Sequence, residues 1–256
     1  MTFEYVSVEE AISRRGLRMV VVANVPSGWG EAAKGILHIK AIDWAAVRLA
    51  YDSEALTQWC GHRNAPVAIY DDERPRAGWA EILLLAERLA PTPSLLPADP
   101  ADRALALGLS HEICGEEGLG WTRRLQLVQA GLQNAGGFPE RVAKYLAKKY
   151  GYRPEAGAAA GARAAQLLGT LAARLAAQRE AGSSYYIGDS LTAVDVYSAA
   201  FMAMFAPLPA PQCEMDAATR VAFETRDSQT EAALAPILLA HRDMMYAQHL
   251  ELPLSL

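Results

Sequence analysis

Gly188-Asp189-Ser190-Leu191-Thr192-Ala193-Val194-Asp195 decides how the second half of this chain is read. Thr192 is a strong N-cap residue and Asp195 falls at its N3 position. Each side chain can therefore satisfy a backbone N–H of the other. Leu191 before the cap and Val196 at N4 supply a hydrophobic staple, which predicts a buried helix from Val196 to Phe205. A capped helix alone is common. Here it follows a long helical stretch and a Tyr185-Tyr186-Ile187 approach, which sets it inside a helical domain.

Toward the N-terminus from that motif, Asp102–Ile113, Trp121–Leu132, Pro139–Lys149 and Ala158–Arg179 carry apolar residues at helical spacing. Residues 156–176 are rich in Ala, but Leu167, Leu168, Leu171 and Leu175 form a narrow apolar stripe. Pro91, Pro93, Pro97 and Pro100 forbid a continuous helix and mark a linker. Before the linker the pattern changes. Arg18–Ala23 is short, β-branched and apolar, as a strand buried on both faces should be. Glu31–Lys40 is helical, Asp43–Tyr51 alternates, Ser53–Trp59 is a weak helical turn, Val67–Tyr70 is a strand, and Trp79–Leu89 is a helix. A further strand near Asp71–Pro75 is expected to be very short. These elements predict an α/β domain over 17–90, a linker over 91–100 and an all-helical domain over 101–256. Residues 1–16 read as an extension in which Ser7 and Glu10 cap a short helix, Val8–Arg15.

Composition sets the outer limits. A chain of 256 residues with formal net charge −5 holds one or two ordinary domains. It has no cluster of five or more basic residues, so no nucleic-acid partner is expected. Lys148 and Lys149 beside Arg153 read as a solvated helix end. No apolar run is long enough to cross a bilayer, so no membrane partner is expected. Met1–Arg18 lacks a secretory signal pattern. Cys60, Cys114 and Cys213 lie far apart, without a CxxC pair, which fits a reducing cytoplasm. His62, His111, His241 and His249 are scattered, and no metal-ligand spacing occurs.

The β-α-β-α-β-(β)-α order is that of a thioredoxin-like domain. Together with the 188–195 motif in the second domain, it resembles the cytosolic glutathione transferase superfamily. The family has Ala just before the motif's Asp, where this chain has Val194. The resemblance covers about Leu17 to Leu250 and implies the glutathione transferase fold, a glutathione cosubstrate, a small hydrophobic electrophile and a homodimer. Asn64-Ala65-Pro66-Val67 matches the family's cis-proline before the third strand, where the residue before the proline pairs its backbone with glutathione. Ser27-Gly-Trp-Gly-Glu-Ala-Ala-Lys-Gly-Ile-Leu-His-Ile-Lys-Ala-Ile-Asp43 resembles the first βα unit of the serine-type, theta- and zeta-like enzymes. Ser27 then falls on the catalytic serine, whose hydroxyl at a helix N-terminus stabilises a thiolate. Its competing reading is a plain helix cap.

One departure bears on affinity. The family's Glu or Gln followed by Ser, which grips the γ-glutamyl end, is replaced by Ala77 and Gly78. Glu81 stands nearby as a substitute, or as an ion-pair partner of Arg76 or Arg88. The resemblance therefore implies weakly held glutathione. Trp29, Trp121 and Arg124 are the expected pocket residues. Trp121 with Arg123 and Arg124 can equally be a core aromatic with solvated arginines. The reading is a glutathione transferase acting by conjugation or isomerisation. The alternatives are a non-catalytic protein of this fold, binding another ligand or a protein partner, and a catalyst using a different thiol or acidic cosubstrate.

Overall fold

Leu17-Arg-Met-Val-Val21 forms strand β2, buried at every position, and in this computed structural model, which describes residues 5–256, it runs through the middle of a mixed sheet. Numbering starts from an edge strand, β1 (Tyr5–Val6). The order is β1-β3-β2-β4, with β3 (Trp44–Arg48) parallel to both β1 and β2, and β4 (Val67–Tyr70) antiparallel to β2. Successive side chains of a strand point to opposite faces. Met19, Val21, Ala46 and Ala68 accordingly join one core, while Val20, Val47, Val67 and Ile69 join a second. Arg18 lies in the strand yet is satisfied at its end, donating to the Gly16 and Asp71 carbonyls at 2.7 and 2.9 Å.

Part of the segment read as an extension belongs to this sheet. Tyr5–Val6 pairs with β3, and α1 (Val8–Ser13) packs against α3 (Glu54–Cys60) and β3. A two-residue strand is too short to show a period-2 pattern, so it was invisible in sequence. Ser7 Oγ accepts from Glu10 N–H at 3.1 Å, and the Glu10 carboxylate turns to Arg14. The short strand expected after Tyr70 is reduced to a single bridge between Ala68 and Arg76.

Helices α2 (Gly28–Ile39) and α4 (Trp79–Leu89) pack together against the larger core. The linker is held by Lys40 at the end of α2, whose buried ammonium donates to the Ala90 and Pro93 carbonyls at 2.7 Å and pairs with Glu87 at 2.7 Å. Then come α5 (Pro100–Cys114), α6 (Leu119–Leu132), α7 (Glu140–Lys149), α8 (Pro154–Glu180), α9 (Ala193–Met202), α10 (Ala217–Glu224), α11 (Ser228–Ala233) and α12 (Pro236–Gln248). Asp99 caps α5 by accepting from the Ala101 and Asp102 N–H groups, with Pro100 at N1.

Buried along its whole length, α9 touches α2, α5 and α12. At its start, Asp195 is fully buried and accepts four hydrogen bonds. Oδ2 takes the Thr192 N–H and hydroxyl, both at 2.8 Å, and Oδ1 takes the Tyr186 N–H at 2.9 Å and His241 Nε2 at 3.0 Å. The carboxylate thus ties the 186–195 loop, α9 and α12 together. That arrangement fixes where α9 presents Phe201 to α2.

Candidate active site

Ser27 is the N-cap of α2, with extended backbone, and its side chain makes no capping hydrogen bond. Only its carbonyl joins the helix, accepting from Glu31 N–H at 2.8 Å. Ser27 lines a cavity of about 360 Å³ together with Ala65, Trp29, Arg124 and residues of α7 and α10. The glycines beside Ser27 set the approach. A Cβ on Gly28 would stand 3.0 Å from the Phe201 ring, so α2 lies against α9 at that point. Glu31 in the first turn is buried, and burial raises its pKa, opposed by the charge of Lys34 at 2.5 Å.

Trp29 is fixed on three sides. Its indole N–H donates to the Cys114 carbonyl at 2.8 Å, its ring meets Phe201 edge-on at 4.8 Å, and the Arg124 guanidinium lies over it at 4.4 Å. The same guanidinium lies 4.4 Å from the Tyr150 ring. Desolvation by this enclosure lowers the Arg124 pKa. The Ala65–Pro66 peptide is cis, as the resemblance implied, and Pro66 is buried. Ala65 N–H and C=O make no backbone hydrogen bond with the other described residues.

The remaining expected residues lie elsewhere. Trp121 stacks edge-on against Tyr150 at 5.3 Å, one layer behind the cavity wall. Arg123, whose alternative reading was a solvated arginine, is fully buried and donates to the Met204, Phe223 and Thr225 carbonyls. Burial pushes its pKa down to about 9, and it holds α6 to the α10 region. Ala77, Gly78 and Glu81 do not border the cavity. Glu81 is already engaged, accepting from Arg74 at 2.7 Å and from Gly78 N–H at 3.3 Å, and the Arg74 hydrogen bond lowers its pKa.

Sequence reasoning missed Lys149, Tyr150 and Tyr51. Lys149, read as a solvated helix end, lies in the cavity wall with its ammonium 5.0 Å from the Tyr51 ring and 5.5 Å from Tyr150. The signal was Tyr145 four residues before Lys149, a helical spacing that puts an aromatic beside the lysine. Among the described residues no group of three or more His, Cys, Asp or Glu stands ready for a metal, and no helix is long and apolar enough to cross a membrane.

No protein-family model matches the chain, and no curated protein matches it. Solved structures do. A glutathione S-transferase from Methylobacterium radiotolerans, in complex with glutathione sulfonate, is 16% identical over 91% of each chain, with TM-score 0.60. A rice glutathione transferase in complex with glutathione is 22% identical over 94% of each chain, TM-score 0.60. Glutathione transferase Omega 3C from Trametes versicolor is 18% identical, covering 94% of this chain and 89% of its own, TM-score 0.60. A thioredoxin-like sheet domain followed by an all-helical domain, superimposable on these enzymes over nine-tenths of its length, gives this chain the glutathione transferase fold.

Proposed function

We propose that the protein is a divergent serine-type glutathione transferase that conjugates glutathione to, or isomerises, a small electrophile. The observation that carries this reading is Ser27 itself, whose side chain is left out of the α2 cap and which lines the cavity. At the positive end of a 12-residue helix it can donate to a thiolate and lower the thiol pKa. The thiol proton leaves to solvent. The sulfur electron pair forms the C–S bond, and a leaving group departs with the pair of the bond it breaks. In isomerisation the same C–S bond forms and breaks again. The Ala65 backbone offers both a donor and an acceptor for the cysteinyl unit, and Trp29 and Arg124 wall the electrophile's side. The bound ligands of the Methylobacterium and rice enzymes support glutathione as cosubstrate.

Three buried free cysteines fit a cytoplasmic protein. Leu84 on α4 and Leu105 on α5 are exposed apolar residues that a homodimer contact would cover. One observation favours the non-catalytic reading: Ala77 and Gly78 offer no γ-glutamyl anchor, and Glu81 is committed to Arg74. A pH–rate profile with glutathione and a generic aromatic electrophile decides between them. The Ser27→Ala variant should lose about ten- to a hundred-fold in kcat, the worth of one hydrogen bond to a charged group. Equal turnover in both proteins moves the site elsewhere, and inactivity of both selects the non-catalytic reading.

A further inference from the structure

The cavity beside Ser27 has a charged end that a purely hydrophobic electrophile does not use. Arg124 makes no ion pair with any described residue; its contacts are the faces of Trp29 and Tyr150, each 4.4 Å away. Lys149 reaches the same wall, donating one hydrogen bond to the Arg63 carbonyl at 3.2 Å and lying among Tyr51, Tyr145 and Tyr150. Asp216 also borders the cavity, but its carboxylate is taken by the cap of α10, accepting from Thr219 N–H at 2.9 Å and the Thr219 hydroxyl at 2.5 Å. Two cations thus face one anion that is already hydrogen-bonded.

Holding two partly desolvated cations on one aromatic-lined wall is unfavourable without a counter-charge. Desolvation lowers the pKa of both groups, and the Arg124 charge lowers that of Lys149 further. The charge of a bound anion offsets both effects. The planar guanidinium binds a carboxylate through two parallel hydrogen bonds. The cavity beside it is lined by the apolar surface of Trp29, Tyr51 and Tyr150, which favours an aromatic body over a compact inorganic ion.

We propose that the second substrate is a planar aromatic carboxylate, its ring among Trp29, Tyr51 and Tyr150 and its carboxylate on Arg124 and Lys149. This deepens the transferase reading by naming the electrophile's class, and it rests on that reading for the thiol chemistry alone, not for binding.

The test is a titration without glutathione. Tryptophan fluorescence follows binding of a chloronitrobenzoate and of its uncharged amide, which has nearly the same shape. The wild-type protein should bind the acid about ten-fold or more tightly than the amide, as expected for a hydrogen-bonded charge. Arg124→Gln should abolish the preference, Arg124→Lys should keep part of it, and Lys149→Met should narrow it. Equal affinity of the wild type for acid and amide overturns the proposal, as does a preference that survives both Arg124→Gln and Lys149→Met. Melting curves check folding. If Arg124→Gln does not fold, the wild-type comparison and Lys149→Met still decide. A parallel glutathione titration covers the other carboxylate source. If Arg124→Gln weakens glutathione and leaves the acid preference intact, Arg124 serves the cosubstrate and the proposal is overturned. A wild type that prefers the acid but shows no thiol chemistry refutes only the catalytic reading.

Discussion

Replacing Asp195 by Ala should cost far more than the loss of an ordinary helix cap. The carboxylate accepts from four donors, all buried with it. Loss of the Thr192 contacts alone is a cap deletion, about 1 kcal/mol. The Tyr186 N–H and His241 Nε2 are then left buried without an acceptor, at about 1 to 3 kcal/mol each. Moving the ring proton of His241 gives no relief, because Nδ1 is buried without a hydrogen-bond partner as well. The sum is about 3 to 7 kcal/mol, a large part of the 5 to 15 kcal/mol typical of a folded protein. Urea denaturation read from the midpoint at an unchanged slope measures it. Asp195→Asn preserves the volume and one acceptor oxygen, so it should fall between wild type and Ala and remain measurable if Ala does not fold. A loss of only the roughly 1 kcal/mol of a simple cap refutes the claim that the four contacts act together.

Glutathione should bind in the millimolar range, since losing one or two charged hydrogen bonds at Ala77 and Gly78 weakens binding by about ten- to a thousand-fold. Calorimetric titration giving micromolar affinity would show that another group has replaced them. Gly120→Ala should destabilise the protein by about 1 to 3 kcal/mol and shift tryptophan emission, because overpacking displaces side chains. Its Cβ would stand 2.1 Å from the Phe201 ring and 3.0 Å from that of Trp29; an unchanged melting temperature and spectrum would contradict this packing. Hydrogen bonds from Thr219 hold the Asp216 pKa below the usual carboxylate range. Its contribution is therefore present above the unfolded pKa and lost as pH falls through the folded one; Asp216→Asn should flatten that acid-side loss in pH-dependent melting. Light scattering should report about twice the 27.6 kDa chain mass if the homodimer forms.

The elements with strong local signals were legible in sequence. β2, β4, α4 and the Thr192–Asp195 turn each carry a pattern that neighbours do not override, and Pro91–Pro100 can only be a break. What escaped was set at a distance. The β1 strand exists because β3 offers an edge to Tyr5 and Val6. Lys149 looked like a helix-end charge because only the fold brings Tyr51 beside it. Glu81 was a possible anchor until Arg74, seven residues earlier, claimed its carboxylate. The contrast between Arg123 and Arg124 shows the same limit. Adjacent on one helix, one is consumed by three carbonyls of the α9–α11 region and the other faces the cavity. Helical spacing separates their directions, but the identity of what they meet comes from α2 and from the α7, α9 and α10 regions.

The central chemical question is whether the Ser27 hydroxyl activates a thiol. Its most direct test is a pH titration of the ultraviolet thiolate absorbance of glutathione bound to the wild-type protein and to Ser27→Ala, at saturating glutathione. The wild type should show a bound thiol that ionises well below free glutathione, and Ser27→Ala should bring it back by about one to two pH units, the equivalent of one charged hydrogen bond. A bound thiol that ionises at the same pH in both proteins would contradict the account.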